Sequence, residues 1–153
     1  MHIAQFNWGV LRADWDDPKV AEFVDNIDRV NAIADRFPGF IWRLGDDAME
    51  AEQLDTSGPI DWCDNARVAS TLSVWDSVAA LKSFAFKGVH ATFWRRGPEW
   101  LTGLPDWPRN VLWRVPQGHR PTVEEGALRL KHLKSKGPTD HAFDFVWADA
   151  HLV

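Results

Sequence analysis

The chain has 153 residues, the size of one domain that can bury a core without disulfide or metal staples. Its 17 Lys and Arg against 22 Asp and Glu give a formal net charge of −5, which argues against a nucleic-acid partner because phosphate binding needs a concentrated basic face. The single cysteine, Cys63, excludes an internal disulfide and a multi-cysteine zinc site. No apolar run approaches the ~20 residues of a membrane span. Met1 to Trp8 also lacks the basic start and apolar stretch of a signal peptide, so a cytoplasmic protein with no membrane partner is expected. Ten Trp and nine Phe with no Tyr point to an aromatic core, a lined pocket or a sticky surface.

Ile3 to Trp8 alternates as a strand, with Ile3, Gln5 and Asn7 on one face and Ala4, Phe6 and Trp8 on the other. Asp17-Pro18 starts a helix whose apolar positions run from Val20 to Phe37 at helical spacing, and Pro38-Gly39 closes it. Phe40 to Leu44 is a second strand. Residues 45–65 carry seven acidic side chains and no Lys or Arg, with the turn Ser57-Gly58-Pro59, and read as a long acidic loop inserted in the domain. Ala66 to Trp75 is a third strand, after which Asp76 caps a helix running to about Arg96, broken by Gly97-Pro98. Asn110 to Val115 is a fourth strand. Thr122-x-x-Glu125 is a capping box for a further helix closed by Gly137-Pro138. Ala142 to Trp147, alternating Phe143, Phe145 and Trp147, reads as a last strand.

The resulting order is β-α-β-β-α-β followed by α-β. This is an α+β fold: a ferredoxin-like split βαβ sheet with helices on one face and an extra C-terminal helix and strand, all within one domain over residues 1–153. The other sheet face needs a cover, and a second copy of the chain is the economical one, so a homodimer is expected.

Several segments carry a family likeness: Leu72-Ser73-Val74-Trp75, Gly88-Val89-His90-Ala91, Arg95-Arg96-x-x-Glu99-Trp100, Leu112 to Thr122, and Gly137-Pro138-Thr139-x-x-Ala142-Phe143. Together with the element order, these resemble the dimeric α/β-barrel superfamily of antibiotic-biosynthesis monooxygenases, haem-degrading monooxygenases and cyclases. Within it the nearest likeness is to the bacterial domain-of-unknown-function family 3291. The resemblance implies a dimer and a pocket between sheet and helices. Haem-degrading members place an Asn on the first strand and an iron-ligating His on the second helix, and Asn7 and His90 fall at similar places. They also place a Trp near that helix, where Ala79, Ala80 and Leu81 stand here, and that departure argues against haem degradation.

His90 is the leading catalytic candidate, with Asn7 orienting substrate or oxygen. Phe86, Phe93 and Trp94 lie on the helix face that His90 occupies. An imidazole desolvated there stays neutral, free to act as a general base, a hydrogen-bond anchor or the iron ligand of a haem flanked by those rings. Haem through His90 is the one metal or cofactor site the sequence offers. Gln5, Trp75 and Arg95 join as pocket residues, with Arg95 suited to a carboxylate. Three functions stay open. One is a monooxygenase-like enzyme for a small apolar or aromatic molecule, and another a cyclase or dehydratase using His90 as acid–base. The third is a non-catalytic ligand-binding dimer.

Overall fold

The computed structural model describes residues 1–55 and 65–152. Its centre is β1 (His2–Leu11), which pairs along one edge with β3 (Val68–Trp75). Its other edge pairs with β5 (Asn110–Val115) and, further along, with the short β4 (Leu101–Thr102). The outer strand β2 (Phe40–Arg43) pairs with β3, so the main order is β5-β1-β3-β2 with every pair antiparallel. This is the ferredoxin-like order expected from the sequence.

Strand alternation decides what each face holds. Ala4, Phe6 and Trp8 share one face with Leu72, Val74, Val111 and Trp113, all buried. Helix α5 (Val123–Lys136) lies on that face and inserts Val123, Leu130 and Leu133. It approaches closely because Gly126 has no side chain: a Cβ there would stand 2.8 Å from Phe6 Cγ. The expected capping box is made in full by Thr122 and Glu125, and Gly137 at φ 72° ends the helix.

The opposite face presents Ile3, Trp75 and Leu112 to α1 (Ala21–Asp35), α3 (Val78–Phe86) and α6 (Phe145–His151). A 3₁₀ turn, Pro18–Val20, leads into α1 after the Asp17 cap. Val20 joins Leu11 and Trp100 in a third buried cluster beside α4 (Gly88–Trp100). The split-βαβ helices do share one face. The second face, assigned from sequence to another subunit, is covered by α5 of the same chain, which removes that reason for a homodimer.

Four local expectations are corrected. The last strand is instead the helix α6: Phe143 makes one antiparallel bridge to Leu112, and Asp144 then caps the helix by accepting from Trp147 N at 2.8 Å. Phe143, Phe145 and Trp147 fit a two-residue period, but Phe143 and Trp147 are also one helical turn apart and stack at 4.8 Å. The helix drawn from Asp76 to Arg96 is two helices, α3 capped by Ser77 and α4 starting at Gly88, whose φ of 72° is left-handed. Pro98 sits inside α4 rather than ending it. In the acidic stretch 45–65, Asp46–Asp55 forms helix α2, while 56–64 lies outside the described residues. Among the described residues, no helix is long and apolar enough to cross a membrane.

Candidate functional site

Between the sheet face opposite α5 and helices α1, α3 and α4 lies a cavity of about 1120 Å³. Its floor is the row of polar side chains that strand alternation sends to this face. Gln5 Nε2 donates to Asn110 Oδ1 at 2.9 Å, and Thr71 Oγ1 donates to Asn7 Oδ1 at 2.6 Å. Trp75 Nε1 donates to Ser73 Oγ at 3.0 Å. Gln5 and Ser73 are the buried polar residues of the described core, and each takes part in one of these bonds. Because the Asn7 oxygen is occupied by Thr71, its amide nitrogen is the group left to donate toward the cavity.

The walls are aromatic. Trp75 stacks on Phe84 with centroids 5.2 Å apart, and Phe84 lies 4.5 Å from the His90 ring. Phe93 and Trp94 follow on α4, Trp94 with its ring 6.1 Å from His90. A polar floor under aromatic walls is the kind of lining that small-molecule sites commonly have.

His90 sits in the first turn of α4, directly after the left-handed Gly88 that redirects the chain out of α3. Its Nδ1 lies 2.9 Å from the Ala85 carbonyl oxygen. A carbonyl only accepts, so Nδ1 carries the proton and Nε2 holds the lone pair. Burial pushes the imidazole below its ordinary pKa, and the Ala85 bond opposes this only in part. The ring is therefore neutral at pH 7. Among the described residues Nε2 has no partner, and it is not one of the sealed, unsatisfied atoms. It is an unprotonated nitrogen in a solvent-reachable cavity.

The structure thus brings together His90, Asn7, Gln5, Trp75, Phe93 and Trp94 around one cavity. Two expected residues fall outside its lining. Phe86 turns to the surface, 39% exposed, packing edge-on against Trp94 and Phe145. Arg95 is also exposed, because it lies one residue past Trp94 and the 100° step of a helix carries it around α4. Were a haem bound, His90 Nε2, whose ring partner Nδ1 is held by a carbonyl, would be the residue to hold its iron, and Phe93 and Trp94 would contact it. Phe86 does not contribute. Among the described residues no cluster of three or more His, Cys, Asp or Glu is placed to hold a metal ion.

The lining also holds two arginines that sequence reasoning did not place there. Arg43, on β2, is engaged by Asp35 through a two-pronged pair at 2.7 and 3.3 Å. Arg109, just before β5, has no carboxylate partner among the described residues. Its position depends on Gly9 and Gly103, which are far apart in sequence, so no local signal announced it.

The profile of the family described as "Domain of unknown function (DUF3291)" matches residues 2–151. No curated protein matches the sequence significantly. Among solved structures the chain is similar to SnoaB, a cofactor-independent oxygenase from Streptomyces nogalater, at 18% identity and a TM-score of 0.45, over 78% of this chain and 98% of that one. A structure of a SnoaB mutant, in which an asparagine is replaced by alanine, matches over the same spans at 17% identity and a TM-score of 0.45.

Proposed function

The chain belongs to the DUF3291 family, and on that footing we propose that it is a small-molecule enzyme of the monooxygenase-like type with His90 as its general base. The observation that carries this reading is the His90 ring lining an aromatic-walled cavity, its Nδ1 tied to the Ala85 carbonyl and its Nε2 without a partner among the described residues. A base of that kind suits a substrate with an acidic O–H or C–H next to an aromatic system.

In this reading His90 Nε2 takes the proton, and the Asn7 amide donates to the oxygen on which negative charge develops. The aromatic walls exclude water and lie against an apolar ring system, and a cavity of about 1120 Å³ suits a polycyclic molecule better than a single ring. The electron-rich anion left behind can reduce dioxygen directly, the route open to an oxygenase with no redox group of its own. If haem is bound, His90 Nε2 would hold it between Phe93 and Trp94, and the iron would supply the oxygen activation.

The test is oxygen uptake with a panel of polycyclic phenols, with products followed by mass spectrometry, for the wild type and His90→Gln. Gln retains hydrogen bonding but is not a base, so uptake should fall about 100-fold or more. Isomerised or dehydrated product without oxygen uptake would replace the oxygenase by a cyclase or dehydratase. Equal rates for the two proteins would remove His90 from catalysis. Absorption spectra with added haemin decide the haem question independently: a Soret shift present in the wild type and lost in His90→Gln marks ligation by His90.

A further inference from the structure

Arg109 occupies an unusual position. Its stem runs over Gly103 and its tip rests on Gly9: a Cβ on Gly103 would stand 2.7 Å from Arg109 Cδ, and one on Gly9 would stand 2.9 Å from Nη2. Any side chain at either glycine would displace the arginine. Gly9 is on the cavity side of β1, two residues on from Asn7, and it pairs with Ala69 of β3. Small residues therefore form this end of the floor, and Arg109 rises from it into the lining.

The cation so placed is solvent-exposed and has no acidic partner among the described residues. Arg43 is paired with Asp35, Arg67 with Asp14, Arg96 with Glu22 and Glu99, and Arg114 with Asp140. The charge that bears on Arg109 is another cation, Arg12, whose Nε donates to the Pro98 carbonyl. Desolvation and the Arg12 charge both act against the charged form of Arg109. A guanidinium stays charged regardless, and on the cavity lining it is open to pairing with an arriving anion. The acidic side chains of the lining lie elsewhere, Asp46 and Glu50 on α2 and Asp144 at the cap of α6. The cavity thus has a cationic end at β1 and β4, with the aromatic walls and His90 on its helical side.

Resting on the reading of this cavity as the active site, we propose that its substrate is a carboxylated aromatic molecule and that Arg109 binds the carboxylate. One planar fork of N–H donors matches one planar carboxylate in two parallel hydrogen bonds. The neighbouring floor, Asn7 and Asn110, offers amide groups to a substituent beside the acid. The ring system lies toward Trp75 and Phe93, and the reacting atom lies toward His90 Nε2.

The test is binding, so it needs no turnover. Intrinsic tryptophan fluorescence, backed by calorimetry, would measure 1-hydroxy-2-naphthoate, its neutral counterpart 1-naphthol, and 1-naphthyl phosphate on the folded full chain. The naphthoate should bind about tenfold or more tighter than 1-naphthol, and Arg109→Gln should erase that difference while leaving 1-naphthol unchanged. Arg109→Lys, which keeps the charge and loses the fork, should fall between the two. Circular dichroism and melting curves would show that both variants are folded. If Arg109→Gln does not fold, the Lys variant and the loss of naphthoate affinity between 50 and 500 mM salt carry the test. Equal binding of naphthoate and naphthol to the wild type, or equal naphthoate binding by wild type and Arg109→Gln, would overturn the proposal. Tighter binding of the phosphate than of the carboxylate would overturn the carboxylate assignment. Failure here leaves the His90 reading standing, because oxygen uptake from neutral phenols and its loss in His90→Gln are independent of Arg109. The converse also holds: Arg109-dependent binding with no effect of His90→Gln on turnover keeps the anchor and removes the base.

Discussion

The contact between Gly126 and Phe6 gives a prediction whose sign is informative. In an exposed helix, Gly→Ala stabilises by about 1 kcal/mol. Here the new methyl would stand 2.8 Å from Phe6 Cγ, 3.0 Å from its Cβ and 3.1 Å from its Cδ2, against the roughly 3.5–4.0 Å of a carbon–carbon contact. Phe6 is fully buried and cannot swing aside, so α5 must lift by several tenths of an ångström. That shift loosens Val123, Leu130 and Leu133 together, since all three are held by the same approach. Overpacking of this kind costs about 1–3 kcal/mol, which cancels the propensity gain and leaves a net loss of up to about 2 kcal/mol. For a domain of this size that lowers Tm by up to about 8 °C. The double variant with Phe6→Leu should recover part of the loss, with clear non-additivity, because the two sites share one contact. A rise in Tm for Gly126→Ala, as propensity alone requires, would refute the close seating of α5 on the sheet.

Three further outcomes are expected. His90 is depressed by burial, so folding favours its neutral form. Its contribution is complete above the unfolded-state value of about 6.5 and is lost as pH falls through the lower folded value; the stability of the wild type relative to His90→Gln should therefore decline in urea titrations from pH 7.5 to 5, and a constant gap would contradict this. Gly88 has φ 72° with nothing near its hypothetical Cβ, so Gly88→Ala suffers from backbone strain alone, roughly 1–2 kcal/mol by thermal melting, and Gly88→Asn should lose clearly less; equal losses would deny the left-handed turn. Thr122→Ala removes the hydroxyl that accepts from Glu125 N at 3.2 Å and should cost about 1 kcal/mol in chemical denaturation, an unchanged midpoint speaking against the cap.

The central strands were legible because each has one face fully buried, which forces a clean two-residue alternation through Ile3 to Trp8. The α5 boundaries were legible from the Thr122–Glu125 box and Gly137, whose signals are local. Segments where one pattern serves two structures were misread. Phe143 to Trp147 satisfies both periods, and Asp144, which looked like an outward strand residue, is a cap. Pro98 reads as a terminator, yet α4 runs two residues beyond it to Trp100. At the candidate site, Asn7, Gln5 and His90 line one cavity, because strand parity and α4 carry them there. Arg109 was not legible: its trough joins Gly9 of β1 to Gly103 after β4, and only the folded sheet makes them neighbours.

The helix that never touches the cavity has the larger say in what the cavity can become. Each floor residue is next in sequence to one pinned beneath α5: Gln5 between Ala4 and Phe6, Asn7 between Phe6 and Trp8, Ser73 between Leu72 and Val74. A slip of one residue in either strand would exchange the amide floor for Phe6 and Leu72, so the apolar side holds the polar side in register. That division separates two kinds of selection. Substitutions under α5 bear on whether the chain folds, whereas, on the proposed reading of the cavity, those at Asn7, Thr71, Ala69 and Asn110 bear on what the chain binds. A lineage built on this scaffold can diversify its chemistry by exchanging floor side chains one at a time while the packing that positions them stays constant.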